Sequence, residues 1–164
     1  MNTTKTIVAI SFMIIIVIVS SCRNNSFTMS SGAMEPTIKN GEIIYADLNI
    51  FKEQLPNRWD IVIFHSPTMP NTDWLMRIVG LPGETVSYDS LGLLINGERM
   101  SNDKNRIHYK LFCLNVDSSR IIQHPYKVPE DQYYLLGDNV DDSFDSRVWG
   151  SISKDKIFGL VKKK

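Results

Sequence analysis

With 164 residues, the chain can build one domain with a modest core and a small subdomain beside it. Its 18 Lys+Arg balance 18 Asp+Glu, which leaves no long-range field to draw in nucleic acid, and the single basic run, residues 162–164, reads as a solvated tail. The two cysteines, Cys22 and Cys113, are far apart, and Cys22 closes an apolar run, so a structural disulfide is not expected.

That run is IVAISFMIIIVIV over residues 7–19, uninterrupted by charge and preceded by Lys5. A bilayer-spanning helix takes about 20 apolar residues, with a floor near 17. The run approaches that floor only when Thr6 and Ser20-Ser21-Cys22 are counted, and its length suits the apolar part of an export signal. It has no polar face, which argues against a buried core helix. Residues 1–22 are therefore expected to be a short uncleaved anchor or a lipoprotein signal. Val19-Ser20-Ser21-Cys22 resembles a bacterial lipobox, which makes Cys22 the candidate for lipidation. Complete release is the third course. Either of the first two holds residues 23–164 outside the cytoplasm, against the lipid of the cell membrane. Lys5 is opposed by Arg23, so the positive-inside bias is weak.

The rest reads as short strands. Residues 42–46 follow the turn signal Asn40-Gly41, and residues 60–64 form a β-branched run that stops at Pro67. Residues 75–79 end at Gly80-Leu81-Pro82-Gly83, which is better read as a tight turn than as a phosphate cradle. Residues 85–88 and 93–95 flank a turn, and Asn96-Gly97 closes the second of them as a hairpin tip. Residues 132–136 run into Gly137-Asp138-Asn139, and residues 157–161 make the last strand. No sustained helical period appears beyond the N-terminus, so the fold class is mainly β. Residues 98–127 are more polar and less regular, and are expected to be an inserted small subdomain or long loop.

Four segments, in order, carry a family resemblance. Ser31-Gly32-Ala33-Met34-Glu35-Pro36-Thr37 is similar to S-G-S-M-x-P-T, with Phe27 in the lead-in from the membrane. Arg58-Trp59-Asp60-Ile61-Val62-Ile63-Phe64 is similar to R-G-D-I-V-V-F, with Trp59 in place of glycine. Met76-Arg77-Ile78-Val79-Gly80-Leu81-Pro82-Gly83-Glu84 stands against K-R-x-x-G-L-P-G-D. Residues 137–150, GDNVDDSFDSRVWG, stand against G-D-N-R-x-x-S-x-D-S-R-x-W-G. Together they cover most of residues 27–160 and resemble type I signal peptidase, the S26 serine peptidase family. The resemblance implies a coiled β-sheet domain with a small insertion. It also implies cleavage of exported preproteins after a small-x-small motif, and no cofactor.

The implied chemistry is a serine hydroxyl activated by a lysine whose pKa is lowered by burial. Here the nucleophile position is Ala33 and the general-base position is Met76, and neither side chain can attack or take a proton. The paired loss is consistent, because a buried amine without its serine is costly. The chemistry is the same whether the two substitutions are natural or introduced. The remaining positions keep their residues. Ser31 and the Ala33 backbone N–H match the oxyanion hole, Ser143 matches the residue that orients the base, and Asp145 with Arg147 matches a supporting ion pair. On an extended chain Ser31 would stand about 6.6 Å from Ala33, at roughly 3.3 Å per residue, too far to inherit its geometry. Arg77 cannot serve as a base. Lys39, Lys52, His65, His108 and His124 are possible bases at positions the family does not use. The histidines and cysteines show no metal-ligand spacing. Two functions follow: a signal peptidase I relative, impaired or inactive, or a non-catalytic module that binds signal peptides of exported preproteins. Nothing in the sequence sets an oligomeric state.

Overall fold

The computed structural model describes residues 25–100, 109 and 118–162. Its strands in chain order are β1 (Ser26–Thr28), β2 (Ile43–Asp47), β3 (Ile61–His65), β4 (Asp73–Gly80), β5 (Thr85–Asp89), β6 (Gly92–Ile95), β7 (Glu98–Arg99), β8 (Tyr126–Lys127), β9 (Gln132–Leu136), β10 (Ile152–Ser153) and β11 (Ile157–Lys162). One seven-stranded sheet has the order β1-β2-β11-β3-β4-β9-β10, and a four-stranded sheet has the order β7-β6-β5-β8. The strand pairings are antiparallel. The fold is mainly β, as the sequence reading expects.

Burial follows from strand composition. The four residues 61–64 of β3 are all apolar and all buried, as a strand between two neighbours with both faces covered should be. In β2, by contrast, Ile44 and Ala46 point inward while Ile43 and Tyr45 face out, the period-two pattern of a strand covered on one face. Strand β9 joins the two cores: Tyr133 and Leu135 pack into the larger cluster, and Tyr134 and Leu136 into the smaller one around Val79, Val86 and Leu93. The Asn96-Gly97 tip forms as expected, with φ of 53° and 83°, the left-handed conformation this hairpin turn demands.

Both ends of residues 98–127 join the small sheet, β7 beside β6 and β8 beside β5. Within that stretch Tyr109 is buried in the smaller core. Strands β1, β7, β8 and β10 escape the sequence reading because two or three residues carry no periodicity of their own. The one-turn helix α1 (Ser146–Trp149) escapes it as well. Asp145 caps it by accepting a hydrogen bond from the Arg147 backbone N–H, and Gly150 ends it at φ 83°.

Candidate active site

Three segments meet at an apolar groove: the turn at residues 31–38, the first half of β4, and the loop at residues 137–145. The turn is fastened from below by Met34 and Ile38, both buried in the larger core. Its backbone closes through Glu35 N–H to Gly32 O (3.0 Å) and Ile38 N–H to Met34 O (2.9 Å). Asn139 staples it to the third segment, its backbone N–H donating to Ala33 O (2.9 Å) and its side-chain amide to Gly32 O (3.0 Å). Gly137 permits the approach. A Cβ there would lie 2.6 Å from Ala33 O and 2.1 Å from Ser143 Oγ, so no side chain fits.

The groove has a volume of about 340 Å³, and its walls include Phe27, Met29, Ala33, Trp74, Met76 and Phe144. Met76 is buried, opposite Val62 on β3. β3 pairs with β4 along residues 73–77, whereas β9 joins β4 only from Arg77 onward. The edge of residues 73–76 that faces away from β3 therefore has no strand beside it among the described residues. An apolar trough along such a half-open edge is the geometry in which an extended peptide adds as a strand.

Ser31 differs from the extended-chain expectation. Residues 31–38 form a turn, and the Ser31 hydroxyl swings back to accept a long hydrogen bond from the Ala33 N–H (3.4 Å). The Ser31 hydroxyl is thus engaged with the amide that an oxyanion hole would use. Ser143 is 1% exposed, and its Oγ has no hydrogen-bond partner among the described residues. A buried hydroxyl without a partner costs about 1–3 kcal/mol. The Ala33 methyl can offer it neither donor nor acceptor, and a thioether such as that of Met76 is at most a weak acceptor.

The surrounding charges are buried and paired. Asp145 and Arg147 are both 0% exposed, joined through Arg147 Nε to Oδ1 (2.9 Å) and Nη2 to Oδ2 (2.7 Å), while Gly137 N–H donates to Oδ2 (3.2 Å). A second pair was not legible in the sequence. Arg77 forks onto Asp138 through Nε (2.7 Å) and Nη2 (2.5 Å), and its Nη1 reaches Trp59 O (2.8 Å). Burial works against the Arg77 charge, but the bonds to Asp138 outweigh it and hold its pKa above the ordinary value. The Tyr109 hydroxyl donates to Asp138 (3.1 Å), and burial beside that carboxylate pushes its pKa far up. Tyr109 stacks on Trp59 at 6.3 Å and 8°. Trp59 takes φ 75°, a strained conformation for a bulky residue and an easy one for glycine. The available signal was the Trp59 departure from glycine; the partner 50 residues away was invisible.

Of the alternative bases, His65 lies at the outer end of β3 with its Nδ1 2.7 Å from Asp73, and His124 lies in the smaller core's rim. Lys52 bonds Asn49, and Lys39 is exposed. Cys22, Cys113 and His108 fall outside the described residues. Among the described residues no group of His, Cys, Asp and Glu is placed to hold a metal ion.

Comparison with known proteins bears directly on this arrangement. The model of the family described as signal peptidase, peptidase S26, matches residues 1–163. The chain belongs to that family. It is 31% identical to signal peptidase I of Pseudomonas fluorescens over 91% of its own length, and spans 64% of that protein. It is 29% identical to signal peptidase IB of Staphylococcus aureus, covering 94% of this chain and 83% of the relative. A solved signal peptidase I from Enterococcus faecalis V583 aligns with a TM-score of 0.49 and 31% identity, covering 66% of this chain and 98% of that one. Within the signal peptidase family, then, this member carries alanine and methionine at the two positions where the resemblance expects serine and lysine.

Proposed function

We propose that this signal peptidase relative holds the signal-peptide ends of exported preproteins in its groove and does not cut them by serine–lysine chemistry. The observation that carries the reading is the groove floor itself, which presents the Ala33 methyl and the Met76 thioether. Binding is served by the half-open edge of β4, which offers main-chain hydrogen bonds, and by apolar walls suited to small side chains. Cleavage is not served, since neither group can attack a carbonyl or accept a proton. Ser31 matches the oxyanion position and Ser143 the base-orienting one, with Asp145 and Arg147 as their support. The domain is tethered to a cell membrane on the extracytoplasmic side, either by residues 7–19 as an uncleaved anchor or, with those residues removed, through a lipidated Cys22 at the mature N-terminus. Among the described residues no helix is long and apolar enough to cross a membrane, and residues 7–19 lie outside that set.

The test incubates the purified chain in detergent with a preprotein bearing an Ala-x-Ala site. Binding is followed by fluorescence anisotropy of a labelled signal peptide, and cutting by mass spectrometry. The expected result is saturable binding and an intact preprotein. Turnover of many substrates per molecule, abolished by Ser31→Ala, would show an active enzyme working through another hydroxyl. No binding at high micromolar peptide would remove the holding function.

A further inference from the structure

The half-open edge of β4 begins with a charged residue. In the register with β3, Asp73 stands opposite His65 and Leu75 opposite Ile63, so these four share one face of the sheet. His65 Nδ1 lies 2.7 Å from Asp73 Oδ1, which gives the carboxylate a basic neighbour on its filled side. The Asp73 side chain is still 43% exposed. A carboxylate can accept about four hydrogen bonds, so one contact with His65 does not exhaust it.

The rest of the groove carries the same sign. Asp142, an exposed residue of the facing loop, lines it as well, and among the described residues no lysine or arginine does. Trp74 and Phe144 meet edge to face in its wall, with ring centroids 6.1 Å apart. Aromatic faces attract cations, and the Arg120 guanidinium, outside the groove lining, already lies 5.2 Å over the Phe144 ring.

We infer that the groove selects its guests by charge: the signal-peptide ends it holds carry a lysine or arginine beside Asp73. The inference rests on the holding function proposed above. Neighbouring strands lie about 4.7–4.9 Å apart, so a strand added along residues 73–76, in either direction, sets one side chain next to Asp73 on the same face. A cationic side chain there meets the carboxylate from the open side, as His65 meets it from the filled side. An acidic one faces a like charge, which cross-strand pairing disfavours. The neighbouring guest residues, beside Trp74 and Leu75, meet only apolar surface.

The experiment uses the full chain in nonionic detergent micelles, with labelled signal peptides that end in Ala-x-Ala. A single lysine, glutamine or glutamate is moved through the positions around that motif, and binding is followed by fluorescence anisotropy. The expected result is one position where lysine binds about two- to fivefold tighter than glutamine, and glutamate binds more weakly than glutamine. In about 1 M salt, where screening acts within about 3 Å, the lysine advantage should shrink. In Asp73→Asn the lysine-to-glutamine ratio should fall towards unity. The glutamate and salt series on the unaltered chain decide the matter if that variant fails to fold. Peptides that bind with no lysine advantage at any position would overturn the charge selection and leave the holding function standing. An advantage spread evenly over all positions, or one that survives intact in Asp73→Asn, would overturn it too. No binding by any peptide would remove the holding function itself, and the selection with it.

Discussion

The groove floor at Ala33 and Met76 and the scaffold beneath it differ in kind. At the floor, Ala33 and Met76 are inert, and Ser143 keeps a buried hydroxyl without a partner among the described residues. Beneath it, Asp145–Arg147 and Arg77–Asp138 remain as two dry ion pairs with near-complete hydrogen bonding. Burying such charges is expensive, and a pair survives in a core only where its geometry repays the desolvation. The difference teaches that the pairs are held by the fold and not by the chemistry. Gly137 N–H, the helix cap and the loop that grips Ala33 O all hang on Asp145, whatever residue occupies position 33.

Three experiments press on that contrast. The largest effect should come from restoring the floor. Ala33→Ser combined with Met76→Lys should cut an Ala-x-Ala preprotein at least ~10²-fold faster than either single change, because nucleophile and base act only together. A double variant no faster than the singles would mean that the scaffold has drifted along with the floor. Next, Arg147→Ala leaves the Asp145 carboxylate buried and alone, and denaturant unfolding should show a loss of about 3–5 kcal/mol. Met76→Leu, by contrast, should change stability by less than about 1.5 kcal/mol. Equal costs at the two sites would erase the distinction between floor and scaffold. The smallest effect is the most diagnostic. Ser143→Ala should raise stability by about 1 kcal/mol, since it deletes an unsatisfied hydroxyl. In the Met76→Lys background the same change should lower stability, because the new amine takes that hydroxyl as its partner.

Much of this was legible in the chain itself, for identifiable reasons. The central strands announce themselves through apolar runs such as residues 61–64, and the tip at Asn96-Gly97 through the backbone it requires. The site residues lie in contiguous motifs, so Ala33 and Met76 stood out against the residues around them. The spacing that an extended chain predicts for Ser31 does not hold, because the Glu35 and Ile38 backbone bonds close residues 31–38 into a turn. The Arg77–Asp138 bond spans 61 residues and joins two motifs whose proximity only the sheet order reveals. Trp59 drew notice as a departure from glycine, yet its stacking partner Tyr109 lies in a stretch without periodicity. Tertiary pairings of this kind leave no local signature.

The half-open edge of β4 has a kinetic corollary. A hydrolase clears its own cleft, because each reaction converts the guest into fragments that hold less well. A cleft with no reaction empties only by dissociation, so its occupancy follows mass action and its guest stabilises it in proportion to concentration. On the proposed holding function, residence time and not turnover is the quantity that matters, and the number of main-chain bonds along residues 73–76 is expected to set it.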